Sequence, residues 1–458
     1  MFGFKFGVVS VGNPYPARGI KLTSNVLIGE RGYASDDPYF VNTSNVIELD
    51  DKAELLATST DGNPLLWRMD YGKGAFMVFN GSMLQEKVNR GVIAGALGML
   101  EPEFIYPVFN SKLIYIDDFP SPIREGSIPS IYEAYHKDIK QFYREIWWPD
   151  MLKAAQKAGL KYTAGIIQSY QDNVEGPFAY PADEDRYNLI SYGREVIKSG
   201  GEIGIHGYNH QSLQSDQRIA DYYDYKVWKS TDVMADSVTE VLDFAHRAFP
   251  NYQIMSYIPP SNMLGPDGRE ALKRAWPNLT VISSLYEEDI NKVSYVQEFE
   301  VAEDGIIEMP RISSGYMDSP FEQWAEANAI TSLGFYSHFV HPDDILDEMR
   351  GQNLSWEELY EGFTLKLERL RSTYPWLRAM TSTEAALDLE KVLNSEVKWT
   401  RVPGRIQGEL SNMNGENYFI LRTDHSIGRL QNCTVNKIDD GVFLVTALKD
   451  KFEIGLGD

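Results

Sequence analysis

Two histidines, His206 and His210, lie four residues apart after a short apolar run in the segment GEIGIHGYNHQS. Histidines at positions i and i+4 share one face of a helical turn, where both imidazoles can bind a single metal ion. The spacing alone leaves a second interpretation open, in which two polar residues merely lie close together. The residues that accompany the pair must decide between these interpretations.

A pair of carboxylates, Asp117 and Asp118, ends the apolar run KLIYI. Adjacent carboxylates repel each other and burial raises their pKa, so a buried pair needs compensating partners. Either residue alone is also compatible with a helix cap or a turn. Combined with the two histidines, one carboxylate would complete a His-His-Asp metal site with open positions for water and substrate. The other carboxylate would then be a base beside the metal.

The elements that must position these residues follow a β-α rhythm between residues 106 and 392. Apolar runs such as LIYID, YTAGII, EIGIH and SLGFYSHFV alternate with helical patterns such as WEELYEGFTLKLERLRSTY. About seven or eight such repeats predict an α/β fold with a closed or nearly closed parallel (β/α)7-8 barrel. Chemistry in such barrels lies where strands end and the following loops begin, so both polar pairs are expected at one mouth.

The flanking segments have different patterns. Residues 1–105 predict a smaller α/β unit, and the run NPLLWRMDYGKGAFMVFNGS resembles the closing hairpin of glutamine-amidotransferase-like domains. This segment has no cysteine nucleophile, so we interpret it as a non-catalytic scaffold. Residues 393–458 are rich in strand patterns with turns at Asn414-Gly415 and Asp440-Gly441, which predicts a small antiparallel β-sandwich-like domain.

The composition excludes several classes of partner and site. A net charge of −23 argues against nucleic acid and anionic lipid surfaces, and favours a neutral or cationic substrate. The single cysteine, Cys433, excludes an intrachain disulfide and a cysteine-rich zinc site. No run approaches eighteen apolar residues, so no membrane span is expected, and the opening MFGFKFGVVSVG has too little apolar length for a signal peptide.

The segment IDDFPSP, followed about ninety residues later by HGYNHQS, resembles the first two motifs of the NodB-homology polysaccharide deacetylases. That superfamily, carbohydrate esterase family four, has the motifs TFDDGP and H-[ST]-x-x-H. Within it, the chain resembles most the deacetylase domain of PelA-like exopolysaccharide proteins. The resemblance implies a hydrolase that removes N-acetyl groups from an amino-sugar polysaccharide of a biofilm matrix. It also implies an extracytoplasmic or cell-surface location and a link to exopolysaccharide-synthesis or export machinery.

The resemblance also implies roles for individual residues. Asp117 matches the general base, whereas Asp118, His206 and His210 match the ligands of a divalent metal. Zinc is the expected metal, with Co²⁺ or Ni²⁺ as alternatives. The third family motif, R-x-P-[YF], falls on YIPPSNMLG, where Ile258 stands in place of the arginine that orients the base. We expect Arg311, in IIEMPRISSGYM, to substitute for it.

The last family motif is a strand that ends in a histidine, the general acid for the departing amine. The segment FYSHFVHPDD offers His338 and His341, and the L-x-H placement in the family slightly favours His338. Residues expected from their positions to contact the sugar are Phe119, Tyr208, Tyr257, Pro260 and Tyr316.

Other functions remain open at this stage. The missing motif arginine is compatible with an inactive, polysaccharide-binding relative, and peptidoglycan or small amino sugars are alternative substrates. An iron(II) oxygenase also uses two histidines and a carboxylate, but its usual H-x-D…H order and antiparallel fold disagree with this chain.

Overall fold

The structure, a computed structural model, describes residues 3–178 and 183–457. The strands are β1 (Val8–Arg18), β2 (Ile20–Leu22), β3 (Ala34–Ser35), β4 (Val41–Leu49), β5 (Glu54–Thr58), β6 (Pro64–Tyr71), β7 (Gly74–Phe79), β8 (Glu103–Val108), β9 (Ser111–Ile116), β10 (Tyr162–Ile167), β11 (Glu202–Gly207), β12 (Ser256–Tyr257), β13 (Val281–Ile282), β14 (Glu300–Val301), β15 (Ile307–Glu308), β16 (Ser313–Ser314), β17 (Phe335–Val340), β18 (Arg378–Ala379), β19 (Glu396–Val402), β20 (Arg405–Ser411), β21 (Asn417–Thr423), β22 (Ser426–Gln431), β23 (Cys433–Asp439), β24 (Val442–Ala447) and β25 (Lys451–Gly457).

The helices are α1 (Arg90–Leu100), α2 (Pro129–Tyr135), α3 (Ile139–Phe142), α4 (Trp148–Ala158), α5 (Asp183–Lys198), α6 (Gln217–Tyr223), α7 (Thr231–Ala248), α8 (Pro266–Ala275), α9 (Pro320–Leu333), α10 (Trp356–Thr373) and α11 (Ser382–Asn394). Among the described residues, no helix is long and apolar enough to cross a membrane.

The central region forms a curled sheet with the strand order β14-β15-β13-β12-β11-β10-β9-β17-β16. All of its neighbouring pairs are parallel except β14 with β15, and β18 also pairs with β9. The segment 307–314 pairs first with β13 and then, beyond Arg311, with β17, so it connects the two ends of the curl. The predicted α/β class with a barrel-like parallel sheet is therefore confirmed.

The strands of this sheet carry apolar side chains on both faces. Every residue of β9, β10, β11 and β17 is buried, as expected for parallel strands covered on both sides. Leu113 and Tyr115 of β9 belong to an inner cluster with Phe335 and Phe339 of β17. The alternate residues, such as Ile114, pack outward against α4, α5, α7 and α10. This alternation decides which side chains reach the mouth of the barrel.

The N-terminal region differs from the expected amidotransferase-like α/β unit. Strands β3-β2-β5-β6-β7 form a sheet in which each pair is antiparallel, β1 pairs antiparallel with β4, and α1 is the single α-helix described before residue 105. This architecture does not confirm an amidotransferase-like α/β scaffold. The expected hairpin itself is present, because Gly72-Lys73 joins β6 to β7, and so short a connection can join only antiparallel strands.

The C-terminal strands form two four-stranded antiparallel sheets, ordered β19-β20-β25-β22 and β23-β24-β21-β8. Apolar side chains from both sheets form one cluster, in which Ile406 and Phe452 meet Phe419 and Val445. Strand β8 spans the predicted boundary at residue 105 and pairs with β21, more than 300 positions later in the chain.

Candidate metal centre and catalytic site

The two carboxylates stand at the end of β9, where the chain turns. The backbone N–H of Asp117 still donates to Val340 at 3.0 Å, so this residue continues the alternation that points Leu113 and Tyr115 inward. Asp118 has a φ of 57°, a left-handed conformation that Asp tolerates better than most residues. The turn lets both neighbouring carboxylates line one cavity, whereas extended neighbours would point to opposite faces.

Asp118, His206 and His210 form a cluster whose possible ligand atoms all lie within 4.8 Å of one another. Asp118 Oδ1 is 3.4 Å from His206 Nε2 and 3.9 Å from His210 Nε2. The Nδ1 atom of His206 is 2.8 Å from the Ile258 carbonyl, so it carries the proton and leaves the Nε2 lone pair facing the cluster. Burial lowers the pKa of His206 to about 4, which keeps this imidazole neutral.

Two atoms of the cluster, Asp118 Oδ1 and His206 Nε2, are buried without a hydrogen-bond partner among the residues that the structure describes. Buried polar atoms are rarely left unpaired, and an ion is a common reason when they are. His210 is fixed from outside by Tyr225, whose hydroxyl lies 2.9 Å from Nδ1. The donor set therefore fits a divalent metal, with three protein ligands and open positions for small molecules.

Asp117 forms a buried ion pair with Arg311. Nη1 of Arg311 lies 2.8 Å and 2.6 Å from the two carboxylate oxygens, and each residue is 1% exposed. Burial alone would raise the pKa of Asp117, but the charge of Arg311, the neighbouring histidines and the hydrogen bonds from Arg311 together outweigh burial and hold that pKa below its usual range. Asp117 is therefore ionised at neutral pH, as a general base must be.

Arg311 is itself held in place by its surroundings. Its other terminal nitrogen donates to Asn262 Oδ1, and its guanidinium lies 3.9 Å from the centre of the Phe339 ring. The backbone carbonyl of Asn262 accepts hydrogen bonds from Tyr295 and Ser284, which fixes the loop that carries it. The family-motif loop of this chain thus contributes Asn262 to the site, while the arginine comes from the segment between β15 and β16.

His341 lies on the same cavity and is held as a cation. Its Nε2 is 3.7 Å from Asp117 Oδ2, and its Nδ1 is 3.3 Å from Asp344 Oδ1. Burial would lower the pKa of His341, but hydrogen bonding to Asp344 and the charge of that carboxylate raise it to about 9. The imidazolium can therefore donate a proton at neutral pH.

His338 is not part of the cavity, which corrects the expectation that favoured it as the acid. Strand alternation points it outward: its Nδ1 lies 2.8 Å from Ser313 Oγ, and its Nε2 lies 2.8 Å from the Gly315 carbonyl. It is fully buried, and burial holds its pKa well below the ordinary value. With both nitrogens engaged and no charge, His338 has no proton to give to a substrate.

The five residues expected to contact sugar are all buried, and none lines the cavity. The ring of Phe119 packs among Trp147, Trp148 and Tyr192, and Tyr316 donates to the His341 carbonyl at 3.1 Å. Tyr208, Tyr257 and Pro260 are likewise part of the interior. None of the five therefore reaches the cavity: Tyr257 lies inside β12, and the other four are packed in the interior although they follow strand ends.

The cavity itself has a volume of about 470 Å³. Besides the residues discussed above, the side chains that line it are Arg124, Tyr170, Tyr223, Ser261, Phe339, Asp343 and Arg350. No sequence pattern pointed to Tyr225, whose contact depends on a distant loop, and Asn262 lies in the motif segment YIPPSNMLG without a role predicted for it. Asp344 did have a signal, because it lies three residues after His341 in the HPDD string.

The comparisons with known proteins agree with this fold. Over residues 8–444 the chain matches a family described as uncharacterised protein conserved in bacteria (DUF2194), and it belongs to that family. A search of the curated proteins gave no match. The crystal structure of Agd3, described as a novel carbohydrate deacetylase, covers 100% of this chain and 84% of its own, with 9% identity and a TM-score of 0.54.

Two further structures match part of the chain. A family 4 acetyl xylan esterase from Clostridium thermocellum, in complex with a cobalt ion, covers 60% of this chain and 88% of its own, with 11% identity and a TM-score of 0.32. A CE4 family pseudoenzyme from Bacillus anthracis covers 61% and 66%, with 9% identity and a TM-score of 0.33. The likeness to Agd3 shows the fold, and it confirms the predicted NodB-like deacetylase fold.

Proposed function

We propose that this member of the DUF2194 family is a metal-dependent hydrolase that removes N-acetyl groups from amino-sugar residues of an extracellular polysaccharide. The observation that carries the proposal is one cavity lined by an ionised carboxylate and a cationic imidazole, which the three-ligand cluster adjoins through Asp118 and His210. An amide is cleaved by a base that activates water and an acid that protonates the leaving nitrogen, and this cavity offers both.

Asp118, His206 and His210 would hold the metal, with zinc expected and Co²⁺ or Ni²⁺ as alternatives. When bound, a divalent metal supplies Lewis-acid polarisation of the acetyl carbonyl and lowers the pKa of water. The neutral state of His206 suits this role, because a protonated imidazole cannot be a ligand.

The remaining steps belong to side chains of the cavity. Asp117 accepts the proton of the attacking water, and Arg311 keeps its carboxylate ionised and oriented for this step. His341 donates its proton to the amide nitrogen as the C–N bond breaks, so that a neutral amine leaves. Acid and base steps each contribute roughly 10²- to 10⁴-fold to the rate.

Arg311 also bears on the main alternative, an inactive polysaccharide-binding relative. That alternative rested on Ile258 in place of the motif arginine. Because Arg311 contacts Asp117 from another segment, the base retains a guanidinium partner, which supports activity.

The substrate class rests on charge and on the family resemblance. The net charge of −23 favours a polymer that becomes cationic as its acetyl groups are removed. Peptidoglycan and small amino sugars stay as alternative substrates. The extracytoplasmic location and the link to exopolysaccharide-synthesis or export machinery stay predictions from the resemblance.

The test is acetate release by the metal-loaded protein from N-acetylhexosamine oligomers, peptidoglycan fragments and free N-acetylhexosamine. We expect release from oligomers, and a loss of at least about 10²-fold in Asp117→Asn. His246→Ala, which changes an exposed histidine on α7, is the matched control and should retain full activity. Absence of acetate release from every substrate by the metal-loaded wild-type protein would refute the proposed function.

A further inference from the structure

A second and larger cavity of about 930 Å³, called here the side groove, is lined by residues that neighbour those of the catalytic cavity along two segments of the chain. Helix α6 contributes Ile219 to the groove and, one turn later, Tyr223 to the catalytic cavity. The loop after β12 likewise contributes Asn262 to the catalytic cavity and Met263 to the groove. A polymer with one unit in the catalytic cavity therefore has the groove beside it.

The groove combines apolar surface with negative charge. Apolar side chains that line it include Ile219, Met263, Leu264 and Val293. Its carboxylates are Asp216, Asp267, Glu288 and Asp289, and Lys292 is the one cationic residue among its described lining residues. Apolar patches suit the faces of sugar rings, and an excess of carboxylates attracts a cation.

The carboxylates of the groove are not equally free to bind a ligand. Asp216 pairs with Arg218, and Asp289 accepts hydrogen bonds from backbone N–H groups of its own loop. Glu288 is exposed at the groove, and within the described part of the chain it has no hydrogen bond or ion pair. Glu288 is therefore the carboxylate best placed to meet a charged ligand.

An independent feature of the groove is a buried side-chain amide, that of Gln214. This residue lines the groove and is 1% exposed. Its Oε1 accepts a hydrogen bond from the backbone N–H of Asp216, which fixes the amide orientation, while its Nε2 has no partner in residues 3–178 and 183–457. A buried donor without a partner is costly, so this N–H group is available to an oxygen atom of a ligand.

We propose that the side groove binds units of the polymer that have already lost their acetyl groups, as cationic amino sugars. This inference rests on the proposed function of the adjacent site. An ammonium group pairs with Glu288, a ring face covers the apolar lining, and a sugar oxygen accepts from Gln214. The enzyme then favours partly deacetylated chains and removes acetyl groups next to units that already carry free amines.

The test measures binding of a glucosamine hexamer and of its fully N-acetylated counterpart to the full-length Asp117→Asn protein, which holds the substrate without turning it over. We expect the glucosamine hexamer to bind more tightly. Glu288→Gln should weaken its binding about two- to fivefold and leave the acetylated hexamer unaffected. Glu133→Gln, at an exposed carboxylate on α2 outside the groove, should change neither affinity.

A second variant tests the amide. Gln214→Leu should weaken binding of both hexamers, because both carry sugar oxygens. The control for folding is Gln214→Leu made with Asp117 intact, which should still hydrolyse 4-nitrophenyl acetate if its active site is folded. Equal affinity for the two hexamers, or unchanged binding in Glu288→Gln, would overturn the inference. If the wild-type protein releases no acetate while Glu288→Gln still loses glucosamine binding, the proposed function fails and the groove assignment stands.

Discussion

Replacing Arg311 by leucine should destabilise the protein by leaving the carboxylate of Asp117 buried without its partner. Both residues are 1% exposed, and two contacts of 2.6–2.8 Å join them. Removing one member of such a buried pair typically costs about 3–5 kcal/mol in the free energy of unfolding. Most of that cost is the uncompensated charge that remains, so a second change to Asn at Asp117 should recover much of it.

The assay is urea unfolding followed by tryptophan fluorescence, applied to Arg311→Leu, Asp117→Asn and the double variant. Arg124→Leu is the control, because its pair with Asp343 has a half-exposed arginine and should be worth at most about 1 kcal/mol. Acetate release should be lost in both Arg311→Leu and the double variant, so the double variant should recover stability without recovering activity.

The pH dependence of the stability follows from the sign of the pKa shift. Arg311 depresses the pKa of Asp117, so the stabilisation is complete above the ordinary carboxyl pKa and is lost as pH falls through the lowered value. In Arg311→Leu, burial without the arginine raises the pKa of Asp117, so the difference between wild type and this variant should be largest at high pH. It should shrink as pH falls from that raised pKa towards the lowered pKa of the wild type. A loss below about 1 kcal/mol at neutral pH, or no recovery in the double variant, would refute the reasoning.

Three further predictions concern the histidines. His206→Ala should abolish stoichiometric metal binding, measured by elemental analysis of zinc-loaded protein, whereas the control His246→Ala should still bind the metal. Metal retained by His206→Ala would contradict the assignment of His206 as a ligand. The high pKa of His341 predicts that kcat falls as pH rises through about 9. Asp344→Asn removes the main interaction that raises this pKa and should therefore move the alkaline fall of kcat to lower pH. An unchanged pH profile of kcat would contradict the assignment of His341 as the acid. His338→Gln should lower thermal stability but leave the kcat of folded protein within a few-fold, whereas a loss of about 10²-fold or more would return the acid role to this residue.

The sequence was sufficient to predict those site residues that lie next to a recognisable strand. Asp117 and Asp118 adjoin a strand, and His206 and His210 adjoin another, so their types and spacing indicated a metal centre before any contact was known. The β-α rhythm likewise indicated parallel strands, because apolar runs of strand length alternate with helical patterns. Arg311 was selected as the partner of the base only because it stands at a strand end.

Other features could not be read from the sequence. The pairing of β8 with β21 joins segments more than 300 residues apart, and no local pattern records such a contact. The N-terminal region was predicted to be an α/β unit, but the antiparallel order of its strands depends on which strands meet. Aromatic residues such as Phe119 were expected at the surface and are buried, because their exposure depends on the helices that cover them.

The choice between His338 and His341 separates what the sequence can predict from what it cannot. All six residues of FYSHFV are buried, since β17 is apolar on both faces, and hydrophobicity therefore cannot distinguish its inner face from its outer face. The sequence by itself determined the chemical groups and the strand ends on which they stand. Only the tertiary structure decided which groups meet, because Phe335 and Phe339 face inward together with His341, whereas His338 turns outward to Ser313.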